Sequence, residues 1–234
     1  MSGLGSRFAQ AGYSDPKPLI PIFGKRMIEV VIDNLGIAGN YIFIVQKSHL
    51  EKYDLKNILT SAAPGCTIID IDYMTEGAAC TTLLAADYID NDQPLLIANS
   101  DQYVEGSVKD FIDSSHWYDG NIMTFKATET KWSYAKTNED GLVVQVAEKN
   151  PISDNATVGI YYWQRGSDYV KYARQMIAKD VRVNNEFYVC PVFNEAIADN
   201  FRIGTYEIAR MWGLGTPEDL RHFNDENHSA PWSS

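Results

Sequence analysis

An α/β fold, with a Rossmann-like, mixed and mainly parallel sheet covered by helices on both faces, is predicted by three features of the sequence. Between residues 27 and 98, helix-period and strand-type apolar segments alternate, the pattern that yields a parallel sheet. The strand-type run at 93–98 stops abruptly in the polar tripeptide Asn99-Ser100-Asp101, at the carboxyl end where such sheets collect ligands. Ahead of both, Gly3 and Gly5 mark a loop whose backbone approaches another group closely.

Each element follows from local pattern. Apolar residues recur at helical spacing from Met27 to Leu35, and Gly36 is a stop. Residues 41–45 read as a fully buried strand, followed by a helix over 48–59 capped by Ser48. Residues 66–71 form another β-branched run, Thr75-Glu76-Gly77-Ala78 opens a helix to about residue 88, and residues 93–98 form a further buried strand. A helix over 107–115 leads to strands at 121–126, 133–137 and 142–146, the last two joined by a hairpin turn at 138–141. Glu148-Lys149-Asn150-Pro151 ends that rhythm. A strand at 156–163, a helix at 168–178, a segment at 186–198 and a short strand at 203–208 follow. Gly215-Thr216-Pro217-Glu218-Asp219-Leu220 reads as a helix start, with Thr216 as N-cap, Pro217 at the first helical position and acids in the first turn.

With 234 residues, 45% of them hydrophobic, the chain can bury one sizeable core, and a single domain is expected. A formal charge of −11 speaks against a nucleic-acid surface and against a polybasic membrane patch. Cys66, Cys80 and Cys190 are odd in number and contain no Cys-x-x-Cys pair, so neither a disulfide framework nor a zinc site is expected. His49, His116, His222 and His228 lack ligand spacing. No apolar run is long enough to span a bilayer and no leader pattern is present, so a cytoplasmic protein is expected. Oligomerisation stays open: Trp212 and Trp232 either line an interface or pack locally.

The chemistry concentrates first in Ser2-Gly3-Leu4-Gly5-Ser6-Arg7-Phe8 and the later Pro16-Lys17-Pro18-Leu19. Glycines admit a bulky anion, Ser6 and backbone N–H groups bond its oxygens, and Arg7 and Lys17 neutralise it. An ordinary surface turn with a solvated charge uses the same residues. Taken together, the two pieces resemble the signature of the sugar-phosphate nucleotidyltransferases (nucleoside-diphosphate-sugar pyrophosphorylases), an A-A-G-x-G-S/T-R-L/F stretch with a later P-K-P/A-L/M. The Glu76-Gly77-Ala78 turn, the Asn99-Ser100-Asp101 strand end, Glu148-Lys149 before Val158-Gly159-Ile160-Tyr161, and the Gly215 to Leu220 stretch extend the resemblance over most of the chain. Two departures stand out: Ser2 replaces the usual Ala, and Met1 alone stands where the family has a buried strand.

The resemblance implies the nucleotidyltransferase fold, related to that of GT-A glycosyltransferases, as one domain over 1–234 with an NTP-binding lobe at 1–130 and a smaller acceptor-binding lobe at 131–234. It implies Mg²⁺-dependent transfer of a nucleotidyl group from an NTP to a phosphorylated small molecule, a sugar 1-phosphate, with pyrophosphate released, for surface-polysaccharide precursors. Gly3, Leu4, Gly5 and Ser6 would hold the triphosphate, Arg7 its outer phosphates, and Lys17 the region of the α-phosphate. Gly77 and Ala78 would accommodate the base, with Asn99 and Ser100 also on the nucleotide. Asp101 would ligate Mg²⁺, with Glu186 as the candidate second carboxylate. Glu148 and Lys149 would bind the acceptor, which requires the strand to end or bulge there because neighbouring strand residues face opposite ways. The aromatics of Tyr161-Tyr162-Trp163 and Phe187-Tyr188 are expected as core more than as pocket wall. Alternatives are a cytidylyltransferase for phosphocholine or another non-sugar phosphate, a GT-A glycosyltransferase, and a non-catalytic nucleotide-binding protein.

Overall fold

The structure is a computed structural model that describes residue 3 and residues 5–227. Met1, Ser2, Leu4, His228 and Trp232, singled out above, lie outside the described residues. In chain order the elements are α1 (Ser6–Gln10), a 3-10 turn (Lys17–Leu19), β1 (Pro21–Ile22), β2 (Lys25–Arg26), α2 (Met27–Leu35), β3 (Ile42–Gln46), α3 (Lys47–Lys52), α4 (Leu55–Ala62), β4 (Thr67–Ile71), α5 (Ala78–Leu83), α6 (Ala86–Ile89), β5 (Leu95–Ala98) and β6 (Gln102–Glu105). There follow α7 (Val108–Ser114), a 3-10 turn (Ser115–Trp117), β7 (Gly120–Lys126), β8 (Ser133–Thr137), β9 (Val143–Glu148), β10 (Asn155–Trp163), α8 (Gly166–Ala178), α9 (Val192–Ala198), β11 (Ile203–Glu207), β12 (Arg210–Gly213) and α10 (Pro217–Asn227). They form two compact units, the first of Met1–Met74, Asn99–Glu105 and Met211–Ser234, the second of Thr75–Ala98 and Gly106–Arg210.

In the first unit α2 is apolar over most of its surface beside the stripe of Glu29 and Asp33 and packs into two clusters accordingly. Met27, Val30 and Val31 join Phe8, Ile20, Ile22, Trp212, Leu214, Leu220 and Phe223, while Ile28 and Ile32 join Leu19, Val45, Leu55, Ile58 and Leu59. Gly36 caps the helix in the left-handed conformation at φ 58°, as its position in the sequence predicts. Trp212 is core, 4% exposed, with its Nε1 donating to Glu105 at 2.7 Å, so it packs locally. Thr216 caps α10, its Oγ1 accepting from the Asp219 N–H at 3.1 Å and donating to the Asp219 carboxylate at 2.8 Å.

The second unit is built on a six-stranded mixed sheet of order β11-β7-β10-β8-β9, with β5 on β10. The β11–β7 pairing is parallel, as is β3–β4 in the first unit, and β10 runs antiparallel to its neighbours. Trp163 stacks on Phe193 at 4.4 Å between ring centroids and meets Tyr169 edge-on at 5.7 Å. Tyr161, Tyr162, Trp163 and Phe187 are all buried, which settles them as core; Tyr188 is half-buried.

Several local expectations are corrected. The helix expected over 48–59 is two helices, because Tyr53 takes an extended conformation, and the residue before α3 is Gln46, with Ser48 inside the first turn. The helix expected from residue 78 to about 88 likewise breaks into α5 and α6 around Leu84 and Ala85. The segment at 186–198 is helical only from Val192. The strands expected to be fully buried are not: β5 is half-buried throughout, and Ile42, Phe43 and Ile44 of β3 are half-buried. Among the described residues β5 pairs on one edge only, with β10, and β3 only with β4.

Candidate active site

In the first unit the glycine loop, Lys17 and the strand end meet. Pro16 and Pro18 flank Lys17 and fix the dihedral angles around it, and the 3-10 turn is closed by the Leu19 N–H on the Pro16 carbonyl at 2.8 Å. Gly5, at φ 63°, starts α1, and a Cβ there would lie 3.4 Å from the Lys17 Cβ. The Lys17 Nζ bonds the Asp101 carboxylate, 84 residues away in sequence, with both side chains about a quarter exposed. Asp101 is fixed from the other side by the Leu214 N–H, which donates to its carbonyl at 2.8 Å. Gly215 closes the arrangement: a Cβ there would come within 2.9 Å of the Asp101 Oδ2 and 3.7 Å of the Lys17 Nζ. Sequence reading valued the Gly215-Thr216 stretch for its helix start, and the contact with Asp101 shows what its glycine is for.

Ser6 and Arg7 are exposed on α1, whose Phe8 is buried, and Arg7 has no side-chain partner among the described residues. Asn99 is exposed and Ser100 half-buried where the chain passes from the second unit to the first. A primary ammonium beside a carboxylate, next to a short glycine-led turn, offers a cation for phosphate oxygens and a hard oxygen ligand for a divalent metal. Among the described residues no three His, Cys, Asp or Glu side chains come together as a metal-binding group. A single carboxylate still suits Mg²⁺, which is commonly held by one or two carboxylates and completed by substrate phosphates and water.

The second unit holds the other candidates in two groups. Gly77, at φ 130°, packs so closely on Phe187 that a Cβ would lie 2.4 Å from its carbonyl oxygen. The Phe187 N–H donates to the Glu76 carbonyl at 2.8 Å, and its own carbonyl accepts from the Ala79 N–H at 2.9 Å. Ala78 is exposed at the first turn of α5.

The second group forms where β9 ends. Glu148 is its last residue, and Lys149 turns into the left-handed region at φ 55°, so the strand ends between them, the condition set above for both side chains to face one site. Lys149 Nζ donates to the Tyr188 hydroxyl at 2.7 Å. Glu148 accepts from the Ser133 hydroxyl. Glu186 acts electrostatically on Glu148, Lys149 and Tyr188. Ser133 carries no signal of its own in the sequence, because only the pairing of β8 with β9 puts it opposite Glu148; Tyr188, expected above as core more than as pocket wall, is half-buried and bonded to Lys149.

Burial pushes the Glu148 carboxyl up, and Glu186 adds to this, against the opposing pull of Ser133 and Lys149. The folded chain therefore holds this proton more tightly than the unfolded one. Its contribution to stability is complete below the ordinary carboxyl value and is lost as pH rises through the raised one. The stability of Glu148→Gln relative to the wild type should thus increase with pH across that window and level off above it. Urea midpoints measured over a pH series check this, and a pH-independent difference would contradict it.

The family model for nucleotidyl transferases matches residues 1–226. Among solved structures, the nucleoside-diphosphate-sugar pyrophosphorylase from Vibrio cholerae RC9 is 27% identical with a TM-score of 0.83, over 95% of this chain and 97% of that one. A UDP-glucose pyrophosphorylase solved with UDP-glucose, 17% identical with a TM-score of 0.73 over 97% and 96% of the two chains, shares the fold. Of curated proteins, a low-salt glycan biosynthesis nucleotidyltransferase of Haloferax volcanii is 24% identical over 232 residues, 95% of this chain and 63% of its own. The mannose-1-phosphate guanylyltransferase catalytic subunit beta of Dictyostelium discoideum is 25% identical over 179 residues, 69% of this chain and 47% of its own. The chain thus spans about half to two-thirds of the length of these curated relatives. The α/β class and the resemblance read from the glycine loop, the Asn99-Ser100-Asp101 strand end and Glu148-Lys149 are both borne out: the chain belongs to the nucleotidyl transferase family.

Proposed function

We propose that this protein transfers a nucleotidyl group from an NTP to a sugar 1-phosphate, with Mg²⁺, releasing pyrophosphate and supplying a nucleotide sugar for glycan assembly. The observation that carries the reading is the junction of Lys17 and Asp101, a cation and a carboxylate brought together at a strand end against Gly5 and Gly215. The names of the relatives, which include a glycan biosynthesis nucleotidyltransferase and a mannose-1-phosphate guanylyltransferase, support the substrate class.

In this reaction a phosphate oxygen of the acceptor attacks the α-phosphorus of the NTP, the bond from that phosphorus to the bridging oxygen breaks, and pyrophosphate leaves. No side-chain nucleophile is needed; positioning and charge stabilisation carry the catalysis. Residues 3–6 hold the triphosphate, Arg7 its outer phosphates, and Lys17 stabilises negative charge that develops at the α-phosphate. Asp101 is the protein ligand of Mg²⁺, which when bound screens the phosphate charges. Gly77 and Ala78 present backbone to the base, and Asn99 and Ser100 line the nucleotide. Lys149 binds the acceptor phosphate and Glu148 accepts from an acceptor hydroxyl. Glu186, considered above as a second metal ligand, shares its surroundings with Lys149 and Tyr188, and in this proposal it orients them.

The test is pyrophosphate release from purified protein given each NTP with Mg²⁺ and a panel of sugar 1-phosphates, phosphocholine included. Release that needs both the acceptor and Mg²⁺ supports the proposal, and a preference for phosphocholine would move the acceptor class. Consumption of a nucleotide sugar without pyrophosphate, or binding of NTP without turnover, would overturn it.

A further inference from the structure

Between the loop at Gly77 and the strand end at Glu148-Lys149 runs a short segment, residues 182–188. Val183 and Glu186 close a tight hairpin by exchanging N–H to carbonyl bonds of 3.0 Å, with Asn184 and Asn185 both left-handed at its tip, at φ 50° and 63°. Phe187 then brackets Gly77 through its main chain on both sides, as described above. The next residue, Tyr188, holds the Lys149 ammonium. Consecutive residues of one segment therefore touch the proposed base loop and the proposed acceptor residues.

Arg182 locks this segment in place. Its guanidinium lies 4.0 Å from the centroid of the Phe187 ring and donates to the Glu76 carboxylate at 2.7 Å and the Asn185 carbonyl at 3.3 Å, with a further bond to Asp180. The planar fork thus ties the residue before Gly77, the hairpin tip and the Phe187 ring into one arrangement, which a lysine's point charge cannot reproduce. Glu76 and Asp180 are largely exposed, so these ion pairs add little to global stability. Their consequence is geometric.

We infer that Arg182 is a positioning residue: it couples the Glu76-Gly77-Ala78 loop to Lys149 through Phe187 and Tyr188, so that a nucleotide seated on the loop orients the ammonium that receives the acceptor phosphate. This rests on the nucleotidyl-transfer reading. By linkage the effect is reciprocal, each ligand tightening the other by the same factor.

Calorimetric titration of the sugar 1-phosphate that supports pyrophosphate release, with and without the α,β-methylene analogue of its partner NTP, tests the inference. In the wild type the analogue should tighten acceptor binding by about fivefold or more, the lower end of ordinary coupling. In Arg182→Met the ratio should fall to near one, with the affinity for the analogue alone and the thermal midpoint little changed. Tyr188→Phe, which keeps the ring and removes the hydroxyl that holds Lys149, should abolish the coupling as well and serves if Arg182→Met folds poorly. A wild type that turns over without coupling, or an undiminished ratio in either folded variant, would overturn the inference and leave the enzymatic reading standing. Absence of pyrophosphate release with every NTP would instead remove that reading, and this inference with it.

Discussion

Replacing Lys17 by alanine is expected to lower kcat by about 10²–10³, equivalent to about 2.7–4 kcal/mol of transition-state stabilisation, the usual effect of deleting one preorganised donor aimed at developing charge. The side chain is held in one place, as the proposed role demands: two prolines fix its backbone, Gly5 lies against its Cβ, and Asp101 holds the ammonium. Because the pair is only about a quarter exposed, its loss leaves the Asp101 carboxylate largely buried without its partner, so the denaturation midpoint should fall as well. Residues that act as a unit are not additive, so Lys17→Ala combined with Asp101→Ala should be only slightly worse than the more damaging single change. Steady-state pyrophosphate release measured on the four proteins of this cycle decides the matter. A rise in KM with kcat unchanged would reassign Lys17 to binding alone.

Gly77→Ala should be the most damaging single methyl in the second unit's site. The added Cβ would stand 2.4 Å from the Phe187 carbonyl oxygen and 2.5 Å from its nitrogen, both main-chain atoms that cannot swing aside, at a φ of 130° that side chains rarely adopt. Overpacking and backbone strain together should cost roughly 2–6 kcal/mol. At Gly141, also left-handed at φ 77° but with open space around it, the same substitution should cost about 1 kcal/mol, the backbone preference alone. Urea denaturation of the two variants side by side separates the terms. Equal costs would mean that the contact with Phe187 yields easily.

Features that a few neighbouring residues determine were legible in the sequence. The helix Met27–Leu35 with its Gly36 stop, the Thr216 cap and the turn at Gly141 depend on periodicity, a left-handed glycine and side-chain-to-backbone bonds that span three or four residues. The candidate residues at the glycine loop, Lys17 and Asp101 were named from local chemistry, strand-end placement and the family resemblance together, and Lys17 and Asp101 prove to be in contact. Expectations failed where a neighbour distant in sequence decided. Half-burial of β3 and β5 depends on how many strands flank them, and the split at Tyr53 has no apolar-periodicity signal. Ser133 and Arg182 have no motif to mark them until a sheet register and a hairpin bring them to Glu148 and Glu76, and Tyr188, expected as core more than as pocket wall, meets Lys149 only through that same hairpin.

By itself, then, the sequence determined the α/β class, most of the local elements and the residue types that phosphate chemistry demands, because these are written in short-range spacing and in side-chain functional groups. Only the tertiary structure decided which of them meet: Asp101 with Lys17 and Gly215 in one unit, Phe187 with Gly77 and Tyr188 with Lys149 in the other. Such pairings are fixed by the packing of whole elements against one another, a long-range balance of burial and backbone hydrogen bonding that no window of the chain contains.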